Sequence, residues 1–383
     1  MENVSELLQQ LNQLHLAEKS AVQIHKAEPD YVLDFAVQSS EPDPLVAAVC
    51  SNFNIRLMLR SRLTTKTSLC GHKSTVTGVT FGKTDPNVAF SCSKDKSVRC
   101  WDVRTNSETQ ILKTPPNVQG DFLSVDVSHS DHLLCAGTEK ISDDAFLLFW
   151  DLRKRAVLGC YNECHDDDIT QVSFKPGSDQ YLASGSSDGL VCTFDLSETS
   201  EEDALQVTSN ASSDVARVGW CGEDDSCVYC VTSDNMFYVW DALEGDELSA
   251  IEDLQSVLGE ASPVQYLVDC IPELTAVTDK SSALTVGGTH SGDVQLISHS
   301  SSGSHISATL SGGHSATIRC SHWDNKSKTL LTGAEDSLLC LWSMDADASF
   351  SANTKEKAAN KMRGKASVTG DGRKPYNKGR KKK

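Results

Sequence analysis

The chain has 383 residues, 39% hydrophobic and 23% charged, a balance that fits a soluble globular protein of one large or two ordinary domains. Its apolar runs, such as Phe146-Leu147-Leu148-Phe149-Trp150, are strand-length, against roughly 20 residues for a transmembrane helix, and no basic segment leads into an apolar core as in a secretory signal; a nuclear or cytoplasmic place and no membrane contact are expected. The net charge of −18 is uneven, because residues 355–383 hold twelve Lys or Arg against two acids, a net of +10 that leaves −28 elsewhere; this argues against nucleic acid on the folded surface and for basic protein partners.

From the N-terminus, Val4, Leu7, Leu8, Leu11 and Leu14 follow helical spacing and predict a short amphipathic helix in an extension over residues 1–19. Packing on its own domain is favoured over packing on a partner, since so short a helix is marginal alone. Ala21-Val22-Gln23-Ile24 then reads as a strand. From Val46 onward one pattern repeats. A degenerate first copy runs from Val46 to Met58 with Asn52 at its turn, and the second runs Phe90-Ser91-Cys92-Ser93-Lys94-Asp95 to Trp101-Asp102. The third ends at Trp150-Asp151 behind Asp144, with extra residues in the turn. The fourth runs Ala183-Ser184-Gly185-Ser186-Ser187-Asp188 to Phe194-Asp195, and the fifth ends at Trp240-Asp241 behind Asp234. The sixth, again degenerate, runs from Leu284 to Ile297 with Ser291 at its turn. The seventh runs Leu331-Thr332-Gly333-Ala334-Glu335-Asp336 to Trp342-Ser343.

Turn positions 52, 95, 144, 188, 234, 291 and 336 are 43, 49, 44, 46, 57 and 45 residues apart, close to the period of about 40–45 residues of a four-stranded propeller blade. Each copy reads as an alternating strand, a small-residue strand, a tight turn and an apolar strand. The prediction is an all-β fold, a seven-bladed β-propeller over residues 20–348, with residues 21–24 supplying the outer strand of blade seven so that the ring leaves no open edge. The Gly-, Ser- and His-rich run from Ser298 to Gly313 reads as a loop between blades six and seven. Residues 349–383, polar and basic, read as a disordered tail.

Two copies open with Gly71-His72 and Gly313-His314, the His 29 and 28 residues before the Trp. On these positions and the Trp-Asp endings the chain resembles the WD-repeat family, over roughly residues 20–345. The resemblance implies a scaffold role in assembly, and a buried tetrad in which the His, a strand Ser or Thr, the turn Asp and the Trp satisfy one another's hydrogen bonds. The matching positions are His72, Ser91, Asp95 and Trp101; His165, Ser184 and Asp188; and His314, Thr332, Asp336 and Trp342. Phe194 in the Trp place removes a donor, so blade four is expected to open more readily.

Little points to chemistry. Ser, His and Asp recur at blade spacing, where a catalytic triad would occur once and on an exposed turn. No Gly-rich phosphate loop and no His-Glu-x-x-His occurs, so no enzyme activity and no cofactor are expected. The fourteen cysteines are scattered like small core residues. Cys227 and Cys230, three apart on a strand, point to opposite faces, and Cys160, Cys164 and His165 lack a fourth ligand, so no metal is expected either.

Partner surfaces are more informative. A propeller places the loops entering each blade, with the Asp turns, on one face. There this sequence has Glu163, Asp166, Asp167, Asp168, Asp143, Asp144 and Glu335, an acidic array suited to a basic client, with Lys94 and Lys96 as local exceptions. On the other face, Trp101-Asp102-Val103-Arg104 and Trp150-Asp151-Leu152-Arg153 resemble the Trp-Asp-x-Arg box of substrate receptors of cullin-RING ubiquitin ligases, which implies adaptor docking through the Arg. Arg373, Lys374, Arg380, Lys381, Lys382 and Lys383 resemble a nuclear localisation signal, and could equally touch nucleic acid nonspecifically. The chain thus reads as a monomeric scaffold or adaptor for a basic protein client, with a ligase substrate receptor as the alternative.

Overall fold

The computed structural model describes residues 10–22, 30–39, 43–116, 118–259, 262–275, 282–300 and 303–344. They form seven antiparallel four-stranded sheets arranged as a β-propeller. Blade two shows the plan: Val76–Phe81, Val88–Ser93, Ser97–Asp102 and Ser107–Leu112 pair in sequence order from the inside outward. The first three strands are almost wholly buried, and the last is exposed for most of its length. Each blade is therefore a sandwich filling, apolar on both faces inward and polar only at its rim.

Two irregularities recur in every blade. The innermost strand carries one unpaired residue (Thr77 in blade two, Thr170 in blade four), and the outermost strand another, such as Thr109 or Leu158. Such bulges increase the twist that lets a flat sheet become a propeller blade and blunt its outer edge. The inner ones also stitch blades together: Thr77 Oγ1 donates to the Phe122 carbonyl at 2.7 Å, and Thr170 Oγ1 to that of Val215 at 2.7 Å.

The ring closes by a shared blade, as expected, but earlier in the chain than the sequence suggests. His15–Ala21 pairs with Leu338–Ser343, with Lys19 opposite Cys340. The expected strand over residues 21–24 is thus shifted upstream. Of the predicted amphipathic helix, the described residues show Gln10 in helical conformation and a 3-10 turn, Leu11–Gln13, before the strand. Leu11 and Leu14 are buried against Ala308, Leu310, Trp323 and Trp342 at the joint of blades six and seven, so these two leucines pack on their own domain. Val4, Leu7 and Leu8 lie outside the described residues.

The run from Ser298 to Gly313 is not a loop. Val294–Ser300 and Gly303–Leu310 are the two outer strands of blade six. Ala308 and Leu310 are buried while Thr309 between them faces solvent, the pattern of an edge strand. Blade six also departs from its siblings inside: Ile297 pairs with Thr285 in the register that Trp101 and Ala89 occupy in blade two. Cys227 and Cys230 do sit on opposite faces of one strand, in the separate cores that blade five shares with its two neighbours.

Candidate protein-interaction surfaces

Which loops share a face follows from backbone hydrogen bonds. The residue opening each turn donates to the residue before the innermost strand: Ser51 to Tyr31, Lys94 to Thr75, Glu139 to Asp121, Ser187 to Asp168, Ser233 to Asp214 and Glu335 to Thr317. At the other end, Val103 donates to Asn87, Leu152 to His132 and Leu196 to Gln180. The Asp turns and the loops entering each blade therefore form one face, and the segments following Trp-Asp form the opposite one.

Under the turn face lie the tetrads. In blade two, Trp101 Nε1 donates to Ser91 Oγ at 2.8 Å, Ser91 Oγ meets His72 Nε2 at 2.7 Å, and His72 Nδ1 meets Asp95 at 3.0 Å. Blade seven repeats this with Trp342 to Thr332 at 2.9 Å, Thr332 to His314 at 2.8 Å and His314 to Asp336 at 3.2 Å. In blade two the indole takes one acceptor site of the Ser91 hydroxyl, whose proton can point at His72 Nε2 while Nδ1–H faces Asp95, an arrangement that suits neutral imidazole. Burial accordingly pulls His72 below its ordinary pKa despite Asp95. Burial would raise Asp95, but hydrogen bonds from Ser97, the Lys73 amide and His72 hold it at about 2. The hydroxyls of Ser91, Ser184 and Thr332 are inaccessible, so they hold blades together and present no nucleophile.

Blade four keeps the two histidine bonds, His165 to Ser184 at 2.7 Å and to Asp188 at 3.1 Å, but buried Phe194 offers no donor. Ser184 Oγ is then open to receive an Nε2 proton, and the site accommodates imidazolium. Burial acts to lower His165, yet Asp188 and then Cys192 raise it to about 9. Both ring nitrogens of His165 are engaged in this network. Blades three and five are further removed: Trp150 donates instead to the Lys113 carbonyl at 2.8 Å, and Asp234 takes Ser213 Oγ at 2.7 Å.

On the turn face itself, Asp143, Asp144, Glu163 and Asp166 are exposed, and none forms an ion pair among the described residues. The others expected there are partly committed. Asp168 accepts the Lys140 amide at 2.9 Å, Asp167 caps its own loop at 2.9 Å, and Glu335 pairs with Arg319. Lys96 reaches across to the Gln119 carbonyl at 2.7 Å.

The family model described as "WD domain, G-beta repeat" matches residues 63–102, 158–195 and 305–343, the segments that end blades two, four and seven. Three blades of this chain thus carry WD repeats. The chain is similar to the WD repeat-containing protein 89 homolog of Dictyostelium discoideum, 27% identical over 82% of each chain. It is also similar to the WD repeat-containing protein GTS1 of Arabidopsis thaliana, 29% identical over 73% of this chain and 72% of the relative. A shorter match, 26% identical over 44% of each chain, is to histone acetyltransferase type B subunit 2 of Debaryomyces hansenii. WD-repeat propellers generally serve as scaffolds for protein partners, the fold itself being silent about which.

On the opposite face of this WD-repeat propeller, the two Trp-Asp-x-Arg boxes are only partly available. Trp101 and Trp150 are fully buried, since each fills the core between blades, and cannot touch an adaptor. Asp102 receives Arg104 Nε at 3.1 Å and Nη2 at 2.8 Å, and Asp151 receives Arg153 at 3.4 and 3.3 Å. Each box thus presents an Arg held in a fork by its own Asp, with the Arg104 and Arg153 side chains 68% and 62% exposed. The Arg104 fork holds the Asp102 carboxyl down at about 2.

The sequence reading missed the central channel. A polar cavity of about 240 Å³ is lined by Asp34, Asp126, Gln171, Arg217 and Asp269 among others. Arg217 lies 3.8 Å from Asp34 and donates to the Arg319 carbonyl at 3.1 Å, while Tyr229 donates to Asp269 at 2.9 Å. Burial raises Asp34 and Asp269 against the attraction of Arg217. The available signal was a charge inside an otherwise apolar inner strand, as in Val215-Ala216-Arg217-Val218. No helix among the described residues is long and apolar enough to cross a membrane. The six basic residues of the proposed localisation signal lie outside the described residues.

Proposed function

We propose that this propeller is a non-enzymatic scaffold that captures a basic protein client on its turn face, over blades three and four. The observation that carries the reading is the exposure there of Asp143, Asp144, Glu163 and Asp166 without internal cations to neutralise them, on a body of net charge −28. Like charges gathered on one face add their fields, steer an oppositely charged partner and penalise wrong ones. A relative that bears the name of a histone acetyltransferase subunit fits a client rich in Lys and Arg. The basic C-terminal segment supports action in the nucleus as well as the cytoplasm.

A second reading rests on Arg104 and Arg153, exposed on the same face of adjacent blades: a substrate receptor that docks a cullin-RING adaptor there. Affinity purification separates the two. If the client reading holds, a Lys- and Arg-rich protein co-purifies with wild type and is lost from the D143N/D144N/E163Q/D166N variant. Recovery of a cullin adaptor that disappears with R104E/R153E would replace it with the receptor reading.

A further inference from the structure

The turn of blade one departs from its siblings in a way that packing does not require. At the tip of these turns the chain passes through the left-handed region, at Lys96 (φ 64), Gly189 (φ 84), Asn235 (φ 66), Gly292 (φ 96) and Ser337 (φ 67). Gly and Asn take that conformation easily, whereas a bulky side chain is strained in it. Blade one has Phe53 there, with φ 66. Its ring does not compensate by burial, for it is 39% exposed. Tyr31, 42% exposed, is joined to the same turn by two hydrogen bonds of 3.0 Å with Ser51. Next in line, Asp30 accepts Asn52 Nδ2 at 2.8 Å. A strained residue that keeps a large part of its ring exposed is characteristic of a site kept for binding.

We propose that Tyr31 and Phe53 form an aromatic anchor on the turn face for one Lys or Arg side chain of the client, with Asp30 adding charge at its edge. This rests on the basic-client reading and names its specificity element. Aromatic faces attract a cation through their quadrupole, and a neighbouring carboxylate reinforces the choice of a cation over an apolar group. The adjoining turn of blade two carries Lys94 and Lys96, so the anchor takes a single cation, and the remaining basic residues of the client lie toward Asp143, Asp144 and Asp166.

The probe is a fluorescein-labelled 12-residue peptide of Gly, Ser and five Lys, read by anisotropy against full-length protein, together with unfolding midpoints. F53N should raise the midpoint, because Asn relieves the backbone, and should weaken binding about three- to tenfold; Y31A should weaken it similarly. Replacing the peptide's lysines by norleucine should abolish binding. The inference is overturned if F53N stabilises with affinity unchanged, if stability and affinity fall together, which would make Phe53 a structural residue, or if the norleucine peptide binds as well. Peptide binding lost only on neutralising Asp143, Asp144, Glu163 and Asp166 sinks the aromatic anchor alone. No binding by wild type sinks the client reading and the anchor with it.

Discussion

Replacing Asp95 by Ala deletes one acceptor on which five donors from four residues converge. Its carboxylate receives His72 Nδ1 at 3.0 Å, the Lys73 amide at 2.9 Å, the Ser97 amide at 3.1 Å together with the Ser97 hydroxyl, and Arg99 Nη2 at 3.3 Å. His72, Ser97 and Arg99 are buried, so D95A leaves donors without acceptors where water enters poorly. Each such orphan costs roughly 1–3 kcal/mol, and breaking a buried charged set roughly 3–5 kcal/mol. The Lys73 amide lies at the surface and Arg99 keeps Glu108, which places the net loss at about 3 kcal/mol, or roughly 4 °C in the unfolding midpoint. Asp234 occupies the same turn position in blade five but takes only Ser213 Oγ among the hydrogen bonds of the described residues, so D234A should cost under about 1 kcal/mol. Urea unfolding of both variants checks the contrast. Equal losses, or a D95A cost within about 1 kcal/mol of wild type, would refute the view that complete tetrads carry disproportionate stability.

Blade four makes an opposite pH demand. His165 is held at about 9 in the folded chain, above its unfolded value of about 6.5, so its contribution is complete below pH 6.5 and is lost as the pH rises through 9. Stability measured from pH 6.5 to 9.5 should fall in wild type and fall less in H165Q; parallel curves would contradict the protonated assignment. Asp95, held at about 2, contributes above pH 4 and is lost as the pH falls through 2, so D95N should flatten the acid limb of the same profile. In the channel, R217M should cost about 2–3 kcal/mol, less than a fully enclosed pair because water reaches it. R217M/D34N should recover part of the loss, since fewer carboxylates are then left uncompensated; a neutral R217M in urea unfolding would contradict this.

How much was legible depended on how much each feature relied on local spacing. The seven turns were readable because Asp95, Asp188 and Asp336 each stand six residues before an aromatic, a periodicity set by one tight turn and one strand. Tetrad membership came from the resemblance to WD repeats, and His72, Ser91, Asp95 and Trp101 do converge. The outer strands were less legible because half of each faces solvent. Gly303–Leu310 looked like a loop for that reason, and the closing strand was placed several residues downstream of His15–Ala21. The Trp-Asp-x-Arg pattern could not reveal that its Trp points into the core while its Arg folds back on its own Asp. The meeting of Asp34, Arg217 and Asp269 was illegible in principle, because it exists only once the ring has closed. Nor could composition distinguish carboxylates that cap loops, such as Asp168, from those left free for a partner.

The most direct measurement is the dissociation constant of the five-Lys peptide for wild type and for D143N/D144N/E163Q/D166N, at 50 and 300 mM salt. An acidic turn face predicts binding by wild type that weakens steeply with salt, and at least about tenfold weaker, flatter binding by the variant, since each exposed pair contributes up to about 1 kcal/mol. Equal affinities and equal salt slopes for the two proteins would contradict the proposal that this face recognises a basic client.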